Sequence, residues 1–214
     1  MSSIIKLAIE LSDEEVSRLF SIHRSVYHSR GIGLPFEHWR TNLTKSYHGR
    51  FGKNVQLFCP VSSNHVESYT IFTEPKEIGL KCWSKIIEGA VDSANASDAR
   101  LLFINIIKDL VDGYYHCAVN FIGEPGTKYA QVVDLMERCH FSKLENIELA
   151  RKLMTGFLQY SPFELRLREN ALVIERSTRY ETDYQGYLLI RDCSYRKETT
   201  PRECSPARQL LEVI

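Results

Sequence analysis

The chain lacks a charge imbalance: among 214 residues, 27 lysines and arginines offset 27 aspartates and glutamates. Nucleic-acid binding by phosphate neutralisation needs a basic surface, so this balance argues against a nucleic-acid partner. The late cluster Arg166, Arg168, Arg176, Arg179, Arg191, Arg196 and Lys197 is interleaved with Glu164, Glu169, Glu175, Glu181 and Asp183, which predicts a solvated mixed-charge surface. No apolar run approaches the roughly 18–20 residues of a membrane span, so no membrane partner is expected. The opening segment Met1–Glu10 is interrupted by Lys6 and has neither a basic front nor a cleavage pattern, so no secretory leader is expected. Cysteine is sparse and scattered. Cys59, Cys82, Cys117, Cys139, Cys193 and Cys204 contain no Cys-x-x-Cys pair and are expected to be free thiols filling the core of a cytoplasmic protein. Also missing are a P-loop, a Gly-x-Ser-x-Gly elbow, a His-Glu-x-x-His pair and an EF-hand ligand string.

What is present is an ordinary globular composition, 43% hydrophobic and 25% charged, long enough to bury a real core. Residues 4–10 predict a short strand. Ser12 followed by Glu15 is a capping box, and Val16, Leu19, Phe20, His23, Val26 and Tyr27 recur at helical spacing. Pro35 opens a second helix with Phe36, Trp39 and Leu43 on one side. Val55–Cys59 and Val66–Phe72, joined by Ser62-Ser63-Asn64, predict a hairpin. After Glu74-Pro75-Lys76, the spacing of Leu80, Trp83, Ile87, Ala90 and Ala94 predicts a helix. Leu101–Ile107, almost wholly apolar, predicts an interior strand.

Residues 114–122 fit a strand or a helical turn, and Tyr129, Val132, Val133 and Met136 restore the helical period. Residues 144–158 lean to helix. Phe163–Arg168 alternates strictly and Leu172–Glu175 returns after Glu169-Asn170, a hairpin, with another strand at Tyr187–Arg191. The fold class expected is α/β (α+β), a mixed central sheet flanked by helices with a β-rich C-terminal extension. Its divisions are expected at 1–176, 177–193 and a loosely ordered 194–214.

Other constellations have plainer readings. His116-Cys117 and Cys139-His140 are zinc-type residues, but neighbours on a strand face opposite ways and the spacing matches no finger or ribbon, so no metal site is expected. Tyr180, Tyr184, Tyr187 and Tyr195 read as strand packing.

The succession strand, two helices, hairpin, helix, strand, helix, strand over residues 4–176 resembles the GNAT N-acetyltransferase superfamily. The most specific likeness is Leu135-Met136-Glu137-Arg138-Cys139-His140-Phe141, similar to that family's Leu-Tyr-Glu-x-x-Gly-Phe. The resemblance implies an acyl-CoA-dependent N-acyltransferase using acetyl-CoA or another acyl-CoA on a small-molecule or protein amine. It implies cofactor contacts at Lys76, Gly79, Lys81 and Asn105, the last on the 101–107 strand. Acceptor-facing residues would be His28, Arg30 and His38. Glu67 and Tyr69, two apart on one strand, would be the catalytic pair. Three departures are visible. The phosphate-turn stretch Pro75–Lys81 has a single glycine, Met136 stands where the family's proton-donating tyrosine falls, and His140 replaces the glycine before Phe141. These keep open a second reading, a non-catalytic module that binds a protein partner on a similar scaffold, as in the antizymes. A third is an enzyme of unrelated type.

Overall fold

A computed structural model describes residues 2–28, 33–47, 49–50, 52–59, 65–79, 81–92, 116–120, 141–158, 163–168, 171–176 and 185–191. The elements are β1 (Ser2–Leu7), a 3-10 turn (Ala8–Glu10), α1 (Asp13–Tyr27), α2 (Phe36–Thr44), β2 (Lys53–Cys59), β3 (Ser68–Thr73), β4 (Lys76–Ile78), β5 (Lys81–Val91), β6 (His116–Asn120), β7 (Ser142–Lys143), α3 (Ile147–Leu158), β8 (Phe163–Arg168), β9 (Ala171–Arg176) and β10 (Gln185–Arg191). The strands form one sheet in the order β1-β2-β3-β5-β6-β10-β9-β8, with β4 added to β5 and β7 to β10. Its ladders are antiparallel except β5 against β6, which is parallel. The mixed sheet flanked by helices and the C-terminal hairpin β8–β9 are those expected from the sequence. Among the described residues no helix is long and apolar enough to cross a membrane.

The first helix starts where the capping box puts it. Ser12 Oγ accepts from the Glu15 N–H at 3.2 Å, and Glu15 Oε2 accepts from the Ser12 N–H at 2.8 Å, satisfying two otherwise orphaned donors. Its inner face, Val16, Leu19, Ile22 and His23, is buried. With Trp39 and Leu43 of α2 it covers Val55, Leu57, Tyr69, Ile71 and Ala90 of the sheet in one core cluster. Asn146 Oδ1 caps α3 by accepting from the Glu148 and Leu149 N–H groups at 3.0 Å each. That helix buries Ala150, Leu153 and Phe157 and brings Gly156 against the Ile78 side chain of β4.

Two expectations change. The helix expected from Leu80 to Ala94 is the strand β5. Trp83, Ser84, Lys85 and Ile86 are all buried, because β5 is paired on both edges, and burial on both faces erases the period-two signal. The apolar positions that survive happen to fall near helical spacing. Ile78 pairs with Lys81 across a two-residue loop, and Gly79 there has φ 70°, open to glycine without strain. The second change concerns the thiols: Cys82 is disulfide-bonded, with a partner outside the described side chains, whereas Cys59 is not bridged. The Cys59 thiol is pushed up by burial and by the charges of Glu15 and Glu67. The 101–107 strand and the 129–140 helix, with the Leu135–Phe141 motif up to His140, lie outside the described residues.

Candidate active site

The ladder between β3 and β5 pairs Ile71 with Glu88 and then Phe72 with Ile86, leaving Ile87 as an extra residue. This β-bulge shifts the alternation of β5. Lys85 and Glu88 are three apart and would face opposite ways on a regular strand. With one residue absorbed by the bulge, both fall on the face covered by α1 and α2. Three cross-strand rows result there: Leu57–Tyr69–Ala90, Val55–Ile71–Glu88, and Lys53–Thr73 continuing to Lys85, whose N–H donates to Thr73 Oγ1 at 2.9 Å.

Glu88 is the centre of this face. Its Oε1 accepts from the Tyr69 hydroxyl, from His23 Nδ1–H at 2.9 Å and from the Trp39 indole N–H at 3.2 Å. The Leu34 N–H donates to His23 Nε2 at 3.3 Å, so Nε2 is an acceptor and the ring proton sits on Nδ1, facing Glu88. Ring packing holds these donors. The His23 ring meets those of Tyr27 and Trp39 at a tilt, with centroids at 4.8 and 5.5 Å, and Trp39 meets Tyr69 edge-on at 6.4 Å. The Tyr27 hydroxyl donates to the Gly89 carbonyl at 2.7 Å, tying the bulged strand to α1. Tyr69 is fully buried, and burial, then the Glu88 charge and hydrogen bond, push its hydroxyl well above the ordinary tyrosine range. It is a fixed donor to Glu88. The Glu88 side chain keeps 19% of its surface exposed, and among the described residues Oε2 has no protein partner. Such a carboxylate is held in place and can still take a proton from solvent or substrate.

One row away, Lys85 is 9% exposed, and its ammonium donates to the Tyr47 hydroxyl at 2.5 Å while lying 4.9 Å from that ring's centroid. Burial lowers Lys85 to about 8 and raises Tyr47 to about 12. Lys53 donates to the Asn42 carbonyl; burial lowers it and the charge of Glu88 works the other way.

The site residues expected from the sequence divide. Tyr69 is at the centre. Glu67 lies outside the cluster, with its N–H donating to the Phe58 carbonyl and its own carbonyl accepting from the Asp92 N–H. His28 caps α1, exposed, with Nε2 3.0 Å from the Leu34 carbonyl, and its ring fills the space beside Gly33 where a Cβ would stand. His38 is exposed on α2. Arg30 and Asn105 lie outside the described residues. Lys76, Gly79 and Lys81 sit on the β4–β5 hairpin, Lys76 Nζ donating to the Gly156 carbonyl at 3.3 Å, so the helix N-terminus expected beside them is a strand. Glu88, Trp39, Lys85 and Tyr47 had no site signal in the sequence, and His23 showed only as one residue of the helical repeat of α1. Among the described residues no group of three metal-binding side chains converges.

The ladder between β5 and β6 runs from Trp83–His116 to Ile86–Val119. Beyond Ile86, β5 continues to Val91, and among the described residues that stretch pairs with β3 alone. Among the described residues, the bulge and Glu88 follow directly on the last pair of the β5–β6 ladder.

No family model matches the chain, and no curated protein matches it. Solved structures do. An acyl-CoA N-acyltransferase from Pseudomonas aeruginosa is 10% identical at a TM-score of 0.46, over 90% of this chain and 100% of that one. Escherichia coli ElaA is 10% identical at 0.47, with the same coverages. Arabidopsis thaliana NAA60, solved with acetyl-CoA, is 11% identical at 0.44, over 89% of this chain and 98% of that one. The chain resembles these structures distantly, and TM-scores below 0.5 assign it to no family.

Proposed function

We propose that this chain transfers an acyl group from an acyl-CoA thioester to an amine, with Glu88 taking the amine's proton. The observation that carries this reading is the Glu88 carboxylate. It is held at a β-bulge by three donors on one oxygen, with no protein partner for the other among the described residues, just past the last described pair of the β5–β6 ladder. Acyl-CoA would supply an activated acyl carbon. Among the described residues the backbone edge of β5 away from β3 has no strand partner over 87–91, and an extended arm would hydrogen-bond there as an added strand does. In the transfer the C–S bond breaks, a C–N bond forms, the amine's proton passes to Glu88 and a proton ends on the leaving sulfur. Buried Tyr69, His23 and Trp39 keep the carboxylate oriented and need not themselves react.

Release of coenzyme A thiol in the presence of an amine panel tests the activity. Glu88→Gln keeps the shape and removes the base, and the expected loss in kcat is about 10²–10⁴-fold with the fold retained. Binding is tested separately: acetyl-CoA or a longer acyl-CoA at a hundred times its Kd should stabilise the fold by about 2.7 kcal/mol. Absence of any thermal shift up to millimolar acyl-CoA would end this reading.

A further inference from the structure

The described ion pairs of the chain are Lys6–Glu15, Arg18–Asp92, Arg40–Asp13 and Lys152–Glu148. Lys85 is in none of them, although it is the most buried lysine described. A buried ammonium is costly unless an anion or several acceptors compensate it. Here one neutral hydroxyl, from Tyr47, is what the described residues provide. Lys53 stands in the same cross-strand row, across Thr73, and adds a second positive charge. The adjoining row supplies Glu88, whose Oε1 is already committed to three donors. Neighbouring rows on one face of a sheet are about 7 Å apart along the strand, which brings a cationic end and an anionic end within reach of one small zwitterion.

We propose that Lys85 and the Tyr47 hydroxyl bind a carboxylate carried by the acceptor, so that the amine substrates are amino acids or closely related amino-carboxylic acids. The acceptor's nitrogen then faces Glu88 Oε2 while its carboxylate meets the Lys85 row. The choice of acceptor rests on the acyl-transfer reading of the same site, whereas the carboxylate site itself does not. Burial that lowers Lys85 to about 8 fits this role. An arriving carboxylate favours the charged amine and is repaid by a contact made in a largely dry environment.

The test uses the full chain and pairs each standard amino acid with its amide, which keeps the amine and removes the negative charge. Without acyl-CoA, at least one amino acid should raise Tm while its amide does not, and the shift should disappear in Lys85→Met and weaken in Tyr47→Phe. With acyl-CoA, kcat/KM should favour the acid over the amide by about 100-fold, and Lys85→Met should bring that ratio near one through KM. Equal turnover of acid and amide, with no acid-specific shift, overturns the carboxylate site and leaves acyl transfer standing. An acid-specific shift without any coenzyme A release sustains the site and sinks the transferase reading. Neither shift nor turnover removes both.

Discussion

Replacing Lys85 with methionine should make the protein more stable and less useful. The ammonium is lowered from 10.5 to about 8 by burial, and that gap is worth about 3 kcal/mol of penalty whenever both folded and unfolded chains carry the charge. Methionine has nearly the same reach and no charge to desolvate. It forfeits the charge-assisted hydrogen bond to Tyr47, about 1.5–3 kcal/mol, so a net gain of up to about 1.5 kcal/mol is expected at pH 7. The pH dependence identifies the cause. Between about 8 and 10.5 the unfolded chain holds a proton that the folded chain has released, so wild-type stability rises with pH across that window. The advantage of Lys85→Met should therefore shrink by about 2.5 kcal/mol between pH 7 and pH 10. Urea denaturation of both proteins at the two pH values measures it, and the difference between them cancels the titration of every other group. A variant less stable than wild type at pH 7, or a difference that does not move with pH, would refute the claim that Lys85 is a desolvated cation. Retention of such a residue against its own stability is what a binding role would explain.

Three further outcomes are expected. Thr70 is fully buried and its hydroxyl oxygen has no partner among the described residues, so Thr70→Val should raise stability by about 1 kcal/mol in urea, and a loss would reveal a hydrogen bond to that hydroxyl. Tyr69→Phe removes one of the three donors to Glu88 and should cost about 1–3 kcal/mol; a double-mutant cycle with Glu88→Gln should show strong coupling, and additivity would mean the contact is idle. Ser12→Ala removes the Oγ acceptor of the capping box and leaves the backbone N–H bond to Glu15; it should cost about 1 kcal/mol by thermal denaturation, with Ser12→Gly falling in between.

The parts of the fold legible in advance were those with local causes. Ser12 and Glu15 announce α1 because each completes the other's hydrogen bonding, and Phe36, Trp39 and Leu43 announce α2 because one face is apolar. The β2–β3 and β8–β9 hairpins follow from alternation and intervening polar residues. Residues 81–91 misled for a physical reason: a strand paired on both edges and covered on both faces carries no alternation, and Gly79 was the one local mark of the turn before it. Tyr69 was marked in the sequence as a candidate site residue. The carboxylate that its hydroxyl bonds was not, because Glu88 lies nineteen positions away, on a segment whose spacing reads as helix.

The amino-acid sequence by itself determined the class of molecule: a balanced, core-forming α/β chain with a capped amphipathic first helix and a β-rich end. It also placed His23 and Trp39 on the apolar faces of their helices, since helical burial follows local periodicity. What joined them to Glu88, and what set Lys85 on the same face, was decided by the register of β3 against β5 and the single extra residue at Ile87. Register and bulges depend on which strands meet, a long-range outcome of packing that no short window of sequence encodes.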